Sequence, residues 1–299
     1  MGLQGWIIYN GHLPGNKFLD FAEFFHHAAK ERNVQTMILK NTDLLTFLST
    51  NTLDIARNTQ IEQLPDFVIF TDKDIYLAKQ LELMGVRVYN RANTIEICDD
   101  KIATYQALAT QQLPIPKTIV APKVFPILGV EIDMDFLNKV MEQLTFPIVI
   151  KEAFGSFGEQ VYLVKNQADL VQKVKELAGK PFVFQEFIST SYGEDIRLQV
   201  VGNKVAASML RRSENDFRAN VSSGGVAEKY YPTKQEEEIA IAAAKAINAD
   251  FAGVDLLFGP NQQPIICEIN SNAHIRNLYE CTNINVAYDV IDYIINQHA

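Results

Sequence analysis

Beyond residue 146 the apolar runs of this chain arrive in adjacent pairs, and that pairing commits its second half to antiparallel hairpins. Ile148-Val149-Ile150-Lys151 is followed by Val161-Tyr162-Leu163-Val164 across a loop that contains Gly155, Ser156, Phe157 and Gly158. Residues 197–201 and 205–210 flank Gly202-Asn203, a dipeptide whose backbone freedom suits a tight turn. Residues 254–258 and 264–270 flank Gly259-Pro260-Asn261 in the same way. A further β-rich run covers 182–188. Helices are expected over about 167–178, from the capping-box pair Thr233 and Glu236 to about 248, and over about 286–295.

The first 95 residues follow another rule. Short apolar runs at 6–9, 37–39, 67–70 and 86–89 alternate with helical patterns at 18–29 and 75–84, which predicts βαβ units and a small parallel sheet. The turn after the first run, Asn10-Gly11-His12-Leu13-Pro14-Gly15, lacks the G-x-G-x-x-G fingerprint, so a dinucleotide is not expected there. Asp99-Asp100 caps a predicted helix over 101–112, and Pro114, Pro116, Pro122 and Pro126 mark a loop-rich connection after it. The expected architecture is α/β and α+β: an N-terminal parallel-sheet domain over 1–96, a central unit over 97–182 that carries the Gly-rich loop, and a C-terminal unit over 183–299.

Charge and cysteine content narrow the function. A net charge of −9 disfavours a protein built to grip nucleic acid by its phosphates. No apolar stretch approaches the ~20 residues of a membrane span, and residues 1–6 lack the features of a signal peptide. Three cysteines, Cys98, Cys267 and Cys281, without metal-type spacing suit reduced thiols. A soluble cytoplasmic protein is expected.

The chemistry gathers on the last hairpin. Glu268 and Asn270, two apart on one strand, share a face, and Asp255 can join them from the partner strand. Hard oxygen donors grouped this way suit Mg²⁺, with Mn²⁺ as a substitute, completed by phosphate oxygens; the plain alternative is a polar, solvated hairpin face. The glycines at 155 and 158 allow backbone N–H groups to approach a phosphate, although a loose hairpin also takes glycine. Lys101 and Lys151 sit at a helix start and a strand end, and Arg197, Arg211, Arg212 and Arg218 crowd one segment of an acidic chain, as an anion site requires. No G-x-x-x-x-G-K-[ST] loop is present, and no Ser-His-Asp or Cys-His arrangement is evident.

In order and spacing, Asp100-Lys101, Ile150-Lys151-Glu152, Gly155-Ser156-Phe157-Gly158, Gln185-Glu186-Phe187-Ile188, Gly193-Glu194-Asp195-Ile196-Arg197, Arg211-Arg212, Asp216-Phe217-Arg218-Ala219-Asn220, Gly224-Gly225, Ala252-Gly253-Val254-Asp255 and Glu268-Ile269-Asn270-Ser271 resemble the RimK-type branch of the ATP-grasp superfamily. The resemblance covers about 97–299; the first 95 residues fit the general pre-ATP-grasp pattern. It implies a two-subdomain ATP-grasp fold that binds ATP and two Mg²⁺ ions. Lys101 and Lys151 would hold phosphates under a lid of Gly155, Ser156, Phe157 and Gly158. Gln185, Glu186, Phe187 and Ile188 would form the adenine hinge, with Asp195 and Arg197 lining the nucleotide pocket. Arg211, Arg218 and Asn220 would meet the phosphates or an acyl phosphate, and Asp255, Glu268 and Asn270 would carry the metal.

The implied reaction transfers the γ-phosphoryl group of ATP to a carboxylate, and an amine then displaces phosphate from the acyl phosphate. Such transfer needs positioning and charge neutralisation rather than a protein nucleophile. The expected partners are small-molecule or peptide carboxylates and amines, for instance glutamate or another amino acid added to a peptide, protein or metabolite. Where related ligases continue from the metal strand with Pro-Gly, this chain has Ser271-Asn272-Ala273-His274-Ile275-Arg276, and His274 and Arg276 are the expected substrate-selecting residues. The competing readings are an ATP-grasp kinase that stops at phosphoryl transfer and a nucleotide-binding protein without turnover.

Overall fold

The computed structural model describes residues 2–50, 52–57, 59–60, 63–124, 133–155, 158–219 and 224–299. The chain opens with β1 (Gln4–Tyr9), α1 (Lys17–Glu31), β2 (Gln35–Lys40), β3 (Leu45–Ser49), β4 (Thr52–Arg57), β5 (Thr59–Gln60), β6 (Phe67–Phe70), α2 (Ile75–Leu83) and β7 (Arg87–Tyr89). Strands β1, β2, β6 and β7 form the expected parallel sheet in the order β2-β1-β6-β7. Successive side chains of a strand point to opposite faces. Accordingly Ile7 enters a core with Phe21 and Phe25 of α1, while Trp6 and Ile8 enter a second core with Leu77 and Leu81 of α2.

Residues 45–60 hold a small antiparallel sheet, β3-β4-β5, that has no counterpart in the sequence reading. It rests on α2 through Gln80, whose amide donates to the carbonyls of Phe47 and Asp54 at 3.4 and 2.8 Å. Its strands mix Thr, Asp and Ser with apolar residues on both faces, so the period-2 signal is weak.

Helices α3 (Ala92–Asp99) and α4 (Lys101–Thr110) follow, then β8 (Thr118–Val120), α5 (Met134–Gln143), β9 (Ile148–Glu152), β10 (Val161–Val164), α6 (Gln167–Glu176) and β11 (Phe182–Glu186). Asp100 caps α4 as expected, accepting from the backbone of Ile102 at 2.8 Å. Strands β8 to β11 form an antiparallel sheet, order β10-β9-β11-β8. Because β11 pairs with β9 from Phe182 to Glu186, a division after residue 182 would cut a strand.

The remainder comprises β12 (Glu194–Val201), β13 (Lys204–Arg212), β14 (Val226–Lys229), α7 (Lys234–Ala246), β15 (Phe251–Phe258), β16 (Pro264–Asn270), α8 (Arg276–Thr282) and α9 (Ala287–His298). Its five-stranded sheet has the order β14-β13-β12-β15-β16. Both predicted hairpins are present: β12 pairs with β13, and β15 with β16. Thr233 and Glu236 close a capping box on α7.

One buried side chain joins the parallel-sheet unit to the five-stranded sheet. Asn90, at the end of β7, donates to the carbonyls of Phe251 and Ser271 at 2.8 and 3.0 Å and accepts from the backbone of Asp250 at 2.8 Å. A carboxamide can donate and accept together, so it satisfies backbone groups of both β15 and the segment after β16. That segment leads directly out of the candidate site.

Candidate active site

The antiparallel sheet β10-β9-β11-β8 and the five-stranded sheet face each other across a cavity of about 740 Å³, counting its open mouth. Lys151 on β9, Gln185 and Glu186 on β11, Asp195 on β12, Arg211 on β13, Asp255 on β15, Glu268 on β16 and Lys101 on α4 all line it. Residues far apart in sequence therefore meet, as their series predicts. Gly158, Phe187, Ile188 and Arg218 line it as well. Gly155, Arg197 and Asn270 adjoin through lining residues: Gly155 through Lys101, Arg197 through Asp255, and Asn270 as the strand neighbour of Glu268. Ser156, Phe157 and Asn220 lie outside the described residues.

One wall is a buried ion network. Arg211 grips Asp195 with Nε and Nη2 at 2.6 and 2.7 Å, and Nη2 reaches Asp255 at 2.8 Å. Arg197 binds the same Asp255 bidentately, both contacts 2.7 Å. The strand register imposes this arrangement, since Asp195 lies opposite Arg211 and Arg197 opposite Asp255. Two guanidinium groups hold the Asp255 carboxyl below the usual range against its burial, whereas burial of Asp195 outweighs Arg211 and pushes that carboxyl up. Two carboxylates and two guanidiniums balance in charge, which makes the burial tolerable.

Facing this wall are two lysines with little exposure. Burial lowers the Lys101 pKa, partly offset by the Glu268 carboxylate, and Lys101 Nζ donates to the Gly155 carbonyl at 3.3 Å. Lys151 Nζ donates to the Tyr105 hydroxyl at 2.9 Å. Glu268 lies opposite Asp255 in the register and Asn270 opposite Gly253, so the three oxygen-bearing groups line adjoining positions on two strands. Among the described residues no three His, Cys, Asp or Glu side chains form a metal cage. Two carboxylates and an amide oxygen nevertheless fit Mg²⁺, which takes few protein ligands and completes its octahedron with phosphate oxygens and water. Asp255 would exchange part of its guanidinium contacts to bind it.

The loop after β9 and the end of β11 have physical reasons for their residues. Gly155 has φ +149°, a conformation that residues with a side chain rarely adopt, so the position favours glycine. Arg218 donates to the Gly158 carbonyl while Asp216 holds its guanidinium at 2.7 and 3.0 Å. At the end of β11 the Glu186 carboxylate accepts from the Lys117 backbone at 2.8 Å. Phe187 packs edge-on against Tyr192 and Phe217.

His274 and Arg276 lie outside the cavity lining. Arg276 is drawn away from the substrate-gripping role expected of it: its fork is closed on Asp20 of α1, and its guanidinium stands 4.5 Å from the Phe24 ring centre. Asp20 thus occupies the Nε and Nη2 edge with which Arg276 would grip a carboxylate bidentately. His274 packs on Phe21 and Phe18, with ring centres 4.6 and 5.4 Å away. Burial, with Lys17 and Arg197 adding to it, pushes its pKa down to about 4 from 6.5. A depressed folded-state pKa gives stability that is present above the unfolded value and lost as pH falls from 6.5 towards 4. The loss should reach about 2–3 kcal/mol after allowance for solvent screening. Urea unfolding of His274→Phe should therefore show a shallower decline than wild type across this window; identical declines would rule the residue out as its source.

Tyr105 and Cys267, both in contact with Lys151, escaped the sequence reading. On α4, Tyr105 reads as an ordinary core residue. Only the proximity of two elements 46 and 116 residues from Lys151 reveals its hydroxyl and the thiol as neighbours of that ammonium.

The sheets and their shared cavity define an ATP-grasp fold. Residues 98–294 match the RimK-like ATP-grasp domain, and the chain belongs to that family. It is an enzyme of the ATP-dependent carboxylate-amine ligase class. An uncharacterized Mycoplasma pneumoniae protein, the MG012 homolog, is 30% identical over 90% of this chain and 91% of its own length. Human N-acetylaspartylglutamate synthase A is 30% identical over 83% of this chain, which spans 62% of that protein. A structure of the ATP-grasp ligase PsnB with a phosphomimetic variant of a minimal precursor, Mg and ADP superposes with a TM-score of 0.69 at 16% identity, covering 100% of both chains. At that identity the likeness establishes the fold.

Proposed function

We propose that this chain uses ATP and Mg²⁺ to activate a carboxylate as an acyl phosphate and then joins it to an amine, releasing ADP and phosphate. The observation that carries the reading is the convergence of Lys101 and Lys151, two nearly buried ammonium groups, on a cavity that also holds Asp255 and Glu268. Cations without full hydration bind a polyphosphate strongly, and the low-dielectric walls increase their effect. Lys101 and Lys151 hold the phosphates, the hinge around Glu186 and Phe187 receives the adenine, and Arg211 and Arg218 face the transferred group. Mg²⁺ held by Asp255, Glu268 and Asn270 would neutralise charge between the phosphates and the attacking carboxylate. The carboxylate oxygen takes the γ-phosphoryl group and ADP leaves; the amine nitrogen then bonds to the acyl carbon, phosphate leaves and the amine gives up a proton.

The human relative's name contains glutamate, which supports an amino acid as one substrate. His274, packed on α1 close to Arg197, is the selecting residue we retain; Arg276 ties α1 to the segment after β16. The functional units are 1–96, 97 to the end of β11, and the remainder. No described helix is long and apolar enough to cross a membrane, and the cytoplasm is the proposed location.

The test is a phosphate-release assay over pairs of acids and amines. Ligation requires that ADP, phosphate and an amide appear only when a matched acid and amine are both present. Sustained ADP formation with the acid alone and a stable phosphorylated product would establish the kinase reading instead.

A further inference from the structure

Lys151 does not stand alone in the cavity wall. Its Nζ donates to Tyr105 Oη at 2.9 Å and lies 3.7 Å from Cys267 Sγ. The Tyr105 hydroxyl in turn lies 2.7 Å from the Cys267 carbonyl oxygen, with the Gln185 side-chain oxygen a longer alternative at 3.4 Å. A phenol has one proton. Because an ammonium has no lone pair, that proton must go to an acceptor other than Lys151, and the short contact to the Cys267 carbonyl takes it. The oxygen then presents only lone pairs to Lys151, so the direction of this hydrogen bond cannot reverse. Burial raises the phenol pKa and keeps it protonated.

The geometry points to Tyr105 as a positioning residue for the phosphate-binding lysine: its hydroxyl, anchored on β16, takes one N–H of the Lys151 ammonium on β9, Cys267 Sγ takes a second at longer range, and the third is left to face the nucleotide phosphates. The inference rests on the reading of Lys151 given above. A lysine carries four rotatable side-chain bonds, and a buried lysine without an acceptor would turn to whichever carbonyl is nearest. Tyr105 also bridges the two facing sheets, since β9 belongs to one and β16 to the other. The spacing between Lys151 and the β16 strand that carries Glu268 is thereby held by the Tyr105 side chain on α4 together with the direct Lys151–Cys267 contact.

Tyr105→Phe removes the hydroxyl and keeps the ring. Calorimetry on the full chain should show ADP and a non-hydrolysable ATP analogue binding roughly tenfold more weakly, with adenosine binding unchanged because it has no phosphate to meet Lys151. The same substitution in a Lys151→Ala background should cause no further loss of ADP affinity, since coupled residues are non-additive. A merely structural tyrosine would weaken adenosine and ADP alike and would act additively with Lys151→Ala; either result overturns the inference. Lys151→Ala alone keeps the two levels apart. If it leaves ADP affinity unchanged, the phosphate role of Lys151 fails and the inference with it. If Lys151→Ala weakens ADP binding and Tyr105→Phe does not, only the inference fails. Should Tyr105→Phe prove too unstable to titrate, 4-cyanophenylalanine at position 105 keeps the ring and an acceptor for the Lys151 ammonium and should retain the preference for ADP over adenosine; loss of that preference counts against the role.

Discussion

Glu268→Ala is expected to lower turnover by roughly a thousandfold or more, because a metal clamp supplies several kcal/mol of transition-state charge stabilisation. Glu268 is half-buried on the cavity side of β16, so thermal unfolding should change little. A second readout separates the metal role from general damage. The Glu268 charge favours the ammonium forms of both Lys101 and Lys151, and it also repels an incoming anion. Without Mg²⁺, ATP should therefore bind the variant at least as well as it binds wild type. With Mg²⁺, the gain in affinity seen for wild type should disappear. A folded variant that retains full activity, or the same Mg²⁺ enhancement, would remove Glu268 from the metal site.

The second half of the chain was legible because its signals are local. Hairpins announce themselves by paired β-rich runs around turn residues, and period 2 places Glu268 and Asn270 on one face. The order of the motifs then gathered the cavity, whose lining holds Lys101, Lys151, Asp195, Arg211, Asp255 and Glu268 together. What stayed hidden depends on contacts between distant segments. The sheet formed by β3, β4 and β5 carries no clear alternation. Helix α8 is seven residues long, too short for a periodic signal to rise above its surroundings. Arg276 illustrates the limit at the level of a single side chain. Its planar fork indicates a carboxylate partner from sequence, but only the packing of α1 supplies Asp20 as that partner. Tyr105 is the converse, an apolar-looking position whose hydroxyl matters because β9 and β16 converge on it.

Replacing Arg211 by Met should have the largest effect on stability. The guanidinium is 5% exposed and lies between Asp195 and Asp255, which are 6% and 3% exposed. Asp255 retains Arg197 when Arg211 is removed, whereas Asp195 loses its bidentate partner and becomes an uncompensated buried charge. Removing one member of such a pair costs about 3–5 kcal/mol. The cost must depend on pH, and its sign is fixed. Burial already holds the Asp195 carboxyl above its ordinary value of 3.8, and losing Arg211 raises it further. A group whose folded-state pKa is raised contributes most below its unfolded value, and that contribution is lost as pH rises through the folded value. The Arg211→Met deficit should accordingly be smaller at pH 5 than at pH 7. Asp195→Asn combined with Arg211→Met should recover much of the lost stability, because the buried charge disappears with its partner. Activity should not return, since Arg211 is also proposed to face the transferred phosphoryl group, and a donor aimed at developing charge is worth about a hundred- to a thousandfold in turnover. Denaturant melts at the two pH values, with phosphate release measured on the same samples, decide the matter. A deficit independent of pH would place the cost in lost packing, and recovery of activity in the double variant would confine Arg211 to structure.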